Sequence, residues 1–115
     1  MPPSDHTFRE VGAVTVVDLR GALMLGISGE LFRRTIQELL DKQTSRIILN
    51  FLEVTTIDSA GVGELVAAYT TMKNRRVRLK LLNPPKKIRA VLELTQLHKV
   101  LEVYTNEELA VRSFD

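Results

Sequence analysis

A largely apolar run that leads within a few residues into a helical pattern is the feature that most constrains this fold. Residues 46–52 form the run, and their length and composition are typical of a strand covered on both faces. After the turn that follows, apolar side chains recur at helical spacing in Val62, Leu65, Val66, Tyr69 and Met72. The sequence therefore predicts a buried strand that passes into a helix, within a mixed α and β fold.

The turn between this strand and this helix carries the candidate functional residues. Either Asp58 or Ser59 is predicted to cap the helix, because its side-chain oxygen can accept from the unpaired N–H groups of the first turn. Gly61 and Gly63 each cost a helix up to about 1 kcal/mol relative to alanine, so we expect another requirement to favour them. A small residue admits a second backbone or a phosphate, and a helix N-terminus attracts anions. The alternative interpretation is an ordinary strand-to-helix turn with a capping residue.

The N-terminal half is predicted to contribute a hairpin and a crossover helix. Residues 7–11 and 13–20 indicate two strands, the second of them rich in β-branched side chains. The connection formed by residues 21–29 is apolar enough that we expect it to pack against the fold. Ser28 is predicted to cap a helix over residues 29–42, which returns the chain to the buried strand as in a βαβ unit.

The chain beyond the second helix predicts another strand, a helix and a short final strand. Residues 76–82 alternate apolar and basic side chains, so this strand is predicted to have one dry face and one wet face that carries Lys80. Pro84 and Pro85 are expected to open the third helix. The short apolar segment 100–104 is predicted to be the last strand.

The last element is predicted to be a helix. Thr105 begins a capping-box pattern, and Leu109 and Phe114 are expected to anchor the helix. The element order is then β-β-α-β-α-β-α-β-α, in a single α/β domain over residues 1–115. Residues 1–5 of that domain are expected to be flexible.

The composition excludes several classes of active site. The chain has no cysteine, which excludes disulfides, thiolate catalysis, zinc ribbons and iron–sulfur clusters. Its two histidines, His6 and His98, are too far apart in sequence to favour a metal site. Ser59 has no nearby basic partner in sequence, and the glycine turn matches neither a P-loop nor a dinucleotide-binding pattern. We therefore expect no enzyme, no cofactor and no metal.

Charge and hydropathy bear on location and partners. No apolar run approaches the roughly 20 residues that span a bilayer, and no signal peptide is evident, so a cytoplasmic protein without membrane insertion is predicted. No acidic residue lies between Glu64 and Glu93, whereas the same stretch is rich in lysine and arginine. A solvated surface and an acidic or nucleotide partner are both open interpretations. Direct nucleic-acid binding is not expected, because no aromatic residues interleave with these cations.

Three segments together resemble one known family. Residues 57–63 (IDSAGVG), 79–84 (LKLLNP) and 91–97 (VLELTQL) are similar, in order and spacing, to the STAS domain family and in particular to bacterial anti-sigma factor antagonists. The resemblance covers most of the chain and implies a mixed β-sheet with about four helices, in agreement with the element order above.

The resemblance also implies a function. In anti-sigma factor antagonists, the serine that corresponds to Ser59 is phosphorylated by the anti-sigma factor, a serine kinase, and is freed again by a protein phosphatase. The unphosphorylated protein binds the kinase, which then releases its sigma factor. A STAS adaptor or structural subunit of a lipid ABC transport system or of a signalling scaffold is the alternative. Two positions depart from the family pattern: Asn50 replaces a frequent aspartate, and Ala60 replaces a frequent second hydroxyl residue.

The partner is expected to dock on the outer face of the second helix. Projection at about 100° per residue places a nearly uncharged row on that face. The predicted contact residues are Asp58, Ser59, Ala60, Gly61, Gly63, Glu64, Ala67 and Thr71. The alternative is that another segment, such as the terminal helix, covers this row. The protein itself is expected to be a monomer or a weak dimer.

Overall fold

The structure of the protein is a computed structural model that describes residues 6–115. The predicted flexible segment, residues 1–5, lies outside the described residues. The elements are β1 (Thr7–Val11), β2 (Val14–Leu23), α1 (Ile27–Asp41), β3 (Arg46–Ile57), α2 (Ser59–Asn74), β4 (Arg78–Leu82), α3 (Lys86–Leu94), a single 3-10 turn (Leu97–Lys99), β5 (Val103–Tyr104) and α4 (Glu107–Arg112). The predicted order of strands and helices is confirmed.

The five strands form one sheet in the spatial order β1-β2-β3-β4-β5. The β1–β2 hairpin is antiparallel, and every later pair is parallel, so each later strand is reached by a crossover. The centre of the sheet is fully enclosed, because Ile47, Ile48 and Leu49 of β3 are each 0% exposed. The apolar run that opened the sequence analysis is therefore the central strand of the sheet, as predicted.

The two faces of the sheet are covered unequally. Helices α1, α2 and α3 pack on one face and form the main core with β2, β3 and β4. The other face is covered by α4, whose Ala110 and the following Phe114 pack on Val14, Val16 and Ile48. An ion pair of 2.6 Å between Arg9 and Glu107 also ties β1 to α4.

The prediction that Lys80 lies on a solvent-exposed face of β4 is wrong. This side chain is only 4% exposed, because the segment after α4 covers it. Its Nζ donates to the Ser113 hydroxyl at 2.7 Å and to the Ser113 carbonyl at 3.0 Å, and it pairs with Glu102 at 2.9 Å. The alternation of Leu79, Lys80 and Leu81 does place Lys80 on the opposite face, but a polar side chain on that face is not thereby exposed.

The connection from β2 to α1 also differs from its prediction. We expected it to pack, yet Leu25 is 82% exposed and Ile27 is 68% exposed. Gly26, at a φ of 95° that suits glycine, is the N-cap of α1, so Ser28 is not the cap. Ser28 instead lies in the first turn, where its hydroxyl accepts from the Met24 N–H at 2.9 Å.

Helix α4 begins and anchors differently as well. Its N-cap is Asn106, which accepts from the Leu109 N–H at 3.0 Å, rather than the predicted Thr105. Phe114 is buried as expected, but Leu109 is 56% exposed and Ala110 takes the inward position.

Leu49 tests the assignment of the central strand. Leu49→Ala should lower the free energy of unfolding by about 2–5 kcal/mol, because it leaves a cavity beneath α1 and α2. Leu94→Ala is the matched control, since Leu94 is 83% exposed and its loss should change stability by no more than about 0.5 kcal/mol. Urea unfolding measures both. Equal effects of the two substitutions would contradict the core described above.

Candidate functional site

Asp58 joins the start of α2 to the β2–α1 connection. It is the N-cap of α2, and its Oδ1 accepts from the Gly61 N–H at 2.8 Å. Its other oxygen, Oδ2, accepts from the Leu25 N–H at 3.1 Å. These hydrogen bonds, that from Gly61 first and that from Leu25 second, hold the pKa of Asp58 below its ordinary value, so the carboxylate is ionised at neutral pH. The prediction that Asp58 or Ser59 caps the helix is thus resolved in favour of Asp58.

Ser59 therefore does not cap the helix. It is the first residue of α2 and is exposed. Within residues 6–115 its hydroxyl has no hydrogen-bond partner, because Asp58 has taken the N–H group that a capping serine would bind. The helix N-terminus carries partial positive charge, and the Lys87 Nζ lies near this end of α2, donating to the Ile57 carbonyl at 3.0 Å. An anion attached to Ser59 would enter a favourable electrostatic field.

The two glycines of the first turns have different environments. Gly61 is buried, and a Cβ at this position would lie 2.0 Å from the Leu23 carbonyl oxygen. Gly61 therefore lets α2 pack directly on the end of β2, and it lies beneath the predicted contact surface rather than in it. Gly63 is exposed, and a Cβ there would meet nothing within 4 Å. Of the explanations left open for Gly61, close approach of a second backbone is the one that fits.

The predicted outer row of α2 consists of Ala60, Glu64, Ala67 and Thr71, and the last three of these residues line a groove between α1 and α2. Ala67 and Thr71 are exposed, whereas Ala60 and Glu64 are half-buried. The groove has a volume of about 220 Å³ and is lined mainly by apolar atoms of both helices. Glu64 bridges the two helices through an ion pair of 2.8 Å with Arg33. Helix α4 packs on the opposite face of the sheet, so it does not cover this row.

Two exposed apolar residues lie near the N-terminal end of α2 or begin α1, and sequence reasoning did not include them in the candidate surface. Leu25 and Ile27 lie in and just after the β2–α1 connection, and the hydrogen bond from Leu25 N–H to Asp58 places Leu25 next to the start of α2. The sequence signal was present in the apolar segment 21–29, but we expected those side chains to pack inside the fold. The structure instead leaves an apolar margin, with Leu25 exposed next to the Asp58 cap of α2 and Ile27 exposed as the first residue of α1.

Asn50, the residue that departs from the family pattern, lies away from this surface. Its Nδ2 donates to the Asp18 Oδ1 at 2.9 Å on the α4 side of the sheet. Asp18 also pairs with Arg9 at 2.5 Å, and that hydrogen bond is the main reason that the pKa of Asp18 is lowered. An aspartate at position 50 would bring a second carboxylate against Asp18, which the amide avoids.

The chemistry of the described chain is limited. Within residues 6–115, no three histidine, cysteine, aspartate or glutamate side chains are grouped so that they could hold a metal ion. None of the helices described is long and apolar enough to cross a membrane. The arrangement around Ser59 is thus one exposed hydroxyl, one fixed carboxylate and a small-residue surface.

Comparison with known proteins identifies the same family that the sequence resembles. The STAS domain family matches residues 6–110. A crystal structure of an anti-sigma factor antagonist from Mycobacterium paratuberculosis is similar with a TM-score of 0.79 and 17% identity, over 96% of this chain and 92% of that one. The Bacillus cell fate determinant SpoIIAA in its phosphorylated form is similar with a TM-score of 0.75 and 26% identity, over 95% and 99%. A sulfate transporter family protein from Wolinella succinogenes is similar with a TM-score of 0.66 and 17% identity, over 90% of this chain and 85% of that one.

The two glycines provide a matched pair of substitutions. Gly61→Ala should lower the free energy of unfolding by about 1–3 kcal/mol or more, because its methyl group collides with the Leu23 carbonyl. Gly63→Ala should raise it by up to about 1 kcal/mol, since the added methyl group meets open space and alanine favours the helix. Urea unfolding of both variants provides the measurement. A stable Gly61→Ala variant would contradict the close packing of α2 on β2.

Proposed function

The chain belongs to the STAS domain family, and we propose that it acts as an anti-sigma factor antagonist controlled by phosphorylation of Ser59. The observation that carries the proposal is the division of roles at the start of α2. Asp58 caps the helix, which leaves the Ser59 hydroxyl exposed and without a structural role among the described residues. Such a hydroxyl can be modified without removing an interaction on which the fold depends.

The switch acts through local charge. A phosphoryl group adds about −1.5 to −2 charges at neutral pH. On Ser59 it would stand beside Asp58 and an apolar margin formed by Leu25 and Ile27, where an apolar partner surface would have to desolvate it. Without the phosphoryl group, in contrast, the surface along Ala67 and Thr71 consists of small, uncharged side chains. No change of fold is required, and the Bacillus relative has been solved in a phosphorylated form of similar structure.

The partners follow from this assignment. The anti-sigma factor is a serine kinase that binds the unphosphorylated surface and modifies Ser59, and a protein phosphatase reverses the modification. The chain itself carries no catalytic function in this scheme and needs no cofactor, and it operates in the cytoplasm as a monomer or a weak dimer. It regulates transcription indirectly, by competing with a sigma factor for the kinase.

A second candidate function is favoured by the similarity to the sulfate transporter family protein from Wolinella. In that case the domain would be an adaptor subunit of a transport assembly or scaffold, and the same outer face of α2 would bind a permanent partner. The two functions differ in one observable property, since only the first requires that Ser59 be phosphorylated and dephosphorylated.

Phosphorylation tests the first candidate directly. Incubation with the cognate anti-sigma kinase and ATP should add one phosphate to the protein, and Ser59→Ala should abolish the addition. Thr56→Ala is the matched control, because Thr56 is an exposed hydroxyl residue close to Ser59 and its loss should leave the phosphate in place. Intact-mass analysis measures the outcome. A phosphate that persists in Ser59→Ala would show that the acceptor is another residue.

The docking surface is tested by a charge placed on α2. Ala67→Arg should weaken binding of the kinase by at least about tenfold, because a bulky hydrated charge would enter a close-packed contact. The thermal stability of the Ala67→Arg variant should stay close to that of the unsubstituted protein, since Ala67 is exposed. Ala90→Arg, an equivalent change at an exposed alanine of α3, is the control and should bind normally. Calorimetric titration measures both, and undiminished affinity of a folded Ala67→Arg variant would refute this docking surface.

A further inference from the structure

The end of the molecule opposite Ser59 carries a group of unpaired cations. Helix α2 runs from Ser59 to Asn74, so its two ends are on the order of 20 Å apart. Lys73, Arg75 and Arg76 lie at the far end, and Arg46 begins β3 on the same side. None of these four side chains forms an ion pair with any residue that the structure describes.

The cations on α1 and at its C-cap are in a different state. Arg33, Arg34 and Lys42 each pair with a glutamate, at 2.8 Å, 3.2 Å and 3.2 Å respectively. Positive charge along α1 is therefore locally compensated, whereas the cations of α3, Lys86, Lys87 and Arg89, form no ion pair among the described residues. At the far end of α2 it is not compensated within the described chain, which leaves it available to a partner.

Arg76 adds a second observation about this end. Its φ is 61°, in the left-handed region where glycine or asparagine is accommodated at lower cost than a long side chain. The turn between α2 and β4 would thus fold at least as well with glycine. Gln43 and Gln96 adopt the same backbone conformation, so what distinguishes Arg76 is that its side chain also lines the groove described below.

The adjacent edge of the sheet is open. β5 pairs with β4 only at Leu81 and Leu82. Backbone groups along β4 alternate in direction: the Arg78 N–H points inward to the Ser45 carbonyl, and the Leu81 N–H points outward to the Glu102 carbonyl. Leu79, which shares the direction of Leu81, therefore presents its N–H and C=O outward. No backbone partner for these two groups is found among residues 6–115.

These features meet in one groove. It has a volume of about 410 Å³, with Leu79 in its floor, Tyr69 and Lys73 of α2 on one side and the 58% exposed Val100 on the other. Arg76 and Arg78 also line it. The carboxylate in the lining is Glu102, and its charge is paired with Lys80 at 2.9 Å, so the groove remains positively charged.

We propose that this groove binds an extended acidic peptide segment of a partner protein. The backbone of the peptide would bond to the outward N–H and C=O of Leu79, and its carboxylates would pair with Lys73 and Arg76. A peptide fits better than a nucleic acid for two reasons. The floor of the groove is a sheet edge with apolar neighbours, and nucleic-acid grooves offer several aromatic side chains on which successive bases stack, whereas the lining here offers Tyr69. The site is separate from Ser59, so it gives the domain a second contact beyond the proposed kinase surface.

The probe is a short synthetic peptide of alternating glutamate and valine, with blocked ends, titrated into the isotope-labelled full chain. We expect amide shifts centred on Leu79 and the flanking residues of β4. The same peptide with glutamine in place of glutamate should bind at least about fivefold more weakly, because it loses more than one exposed ion pair and each such pair strengthens binding by up to about fivefold. N-methylation of the central valines should also weaken binding, because it removes the donors that pair with a strand edge.

Substitutions in the chain complete the test. Lys73→Glu should weaken binding at least about fivefold, whereas Lys86→Glu, the same charge change on α3, should have less than a twofold effect. Arg76→Gly should weaken binding without lowering the urea midpoint, because glycine suits the left-handed backbone. Ser59→Asp should leave the peptide affinity unchanged, because Ser59 does not line this groove. The kinase proposal is tested by variants at Ser59 and this one by variants at Lys73 and Arg76, so failure of either can be recognised by itself.

Three outcomes would overturn the proposal. The first is the absence of shifts at Leu79, and the second is equal loss of affinity in Lys73→Glu and Lys86→Glu. The third is tighter binding of a single-stranded oligonucleotide or of anionic phosphatidylglycerol vesicles to the same residues, which would assign the groove to a different class of partner.

Discussion

The contact between the first turn of α2 and the end of β2 is the constraint on which the functional surface depends. Gly61 allows the helix to approach the Leu23 carbonyl, and Asp58 then bridges from the helix N-terminus to the Leu25 N–H. These two interactions fix the position of Ser59 relative to the β2–α1 connection. The exposed hydroxyl, the fixed carboxylate and the apolar margin are all consequences of this one close approach.

The sequence predicted the main core well because that core is built from local periodicity. The apolar run of β3 and the helical spacing of Leu65 and Met72 each specify which side of an element faces inward, and most of the buried residues follow. On α2 the prediction of Val66 as buried is wrong, because Val66 is half-buried and Ala68 is buried in the core. A cap at Asp58 or Ser59 was predictable for the same reason, since capping depends on residues within one turn, and the structure decided between the two in favour of Asp58. Fold class and the position of Ser59 thus needed only short-range information.

The errors arose where burial depends on distant parts of the chain. Lys80 has the alternation of a solvent-facing residue, and only the return of the C-terminal segment over the sheet makes it buried. Leu25 and Ile27 were expected to be covered because they are apolar, but no later segment among the described residues reaches them. Periodicity assigns a side chain to a face, and long-range topology decides whether that face is covered. The apolar margin of the functional surface was missed for this reason.

Gly63 has a consequence for how readily the first turns of α2 open. A residue in the first turn of a helix is held in a compact backbone conformation, and a kinase that requires an extended substrate must first unwind that turn. Glycine at position 63 weakens the first turns of α2 by up to about 1 kcal/mol relative to alanine, without any packing contact that would require it. The residue therefore lowers the cost of local unfolding at the end of the helix that carries Ser59. The remainder of α2, anchored by Leu65, Ala68 and Met72, can stay folded while the first turns open.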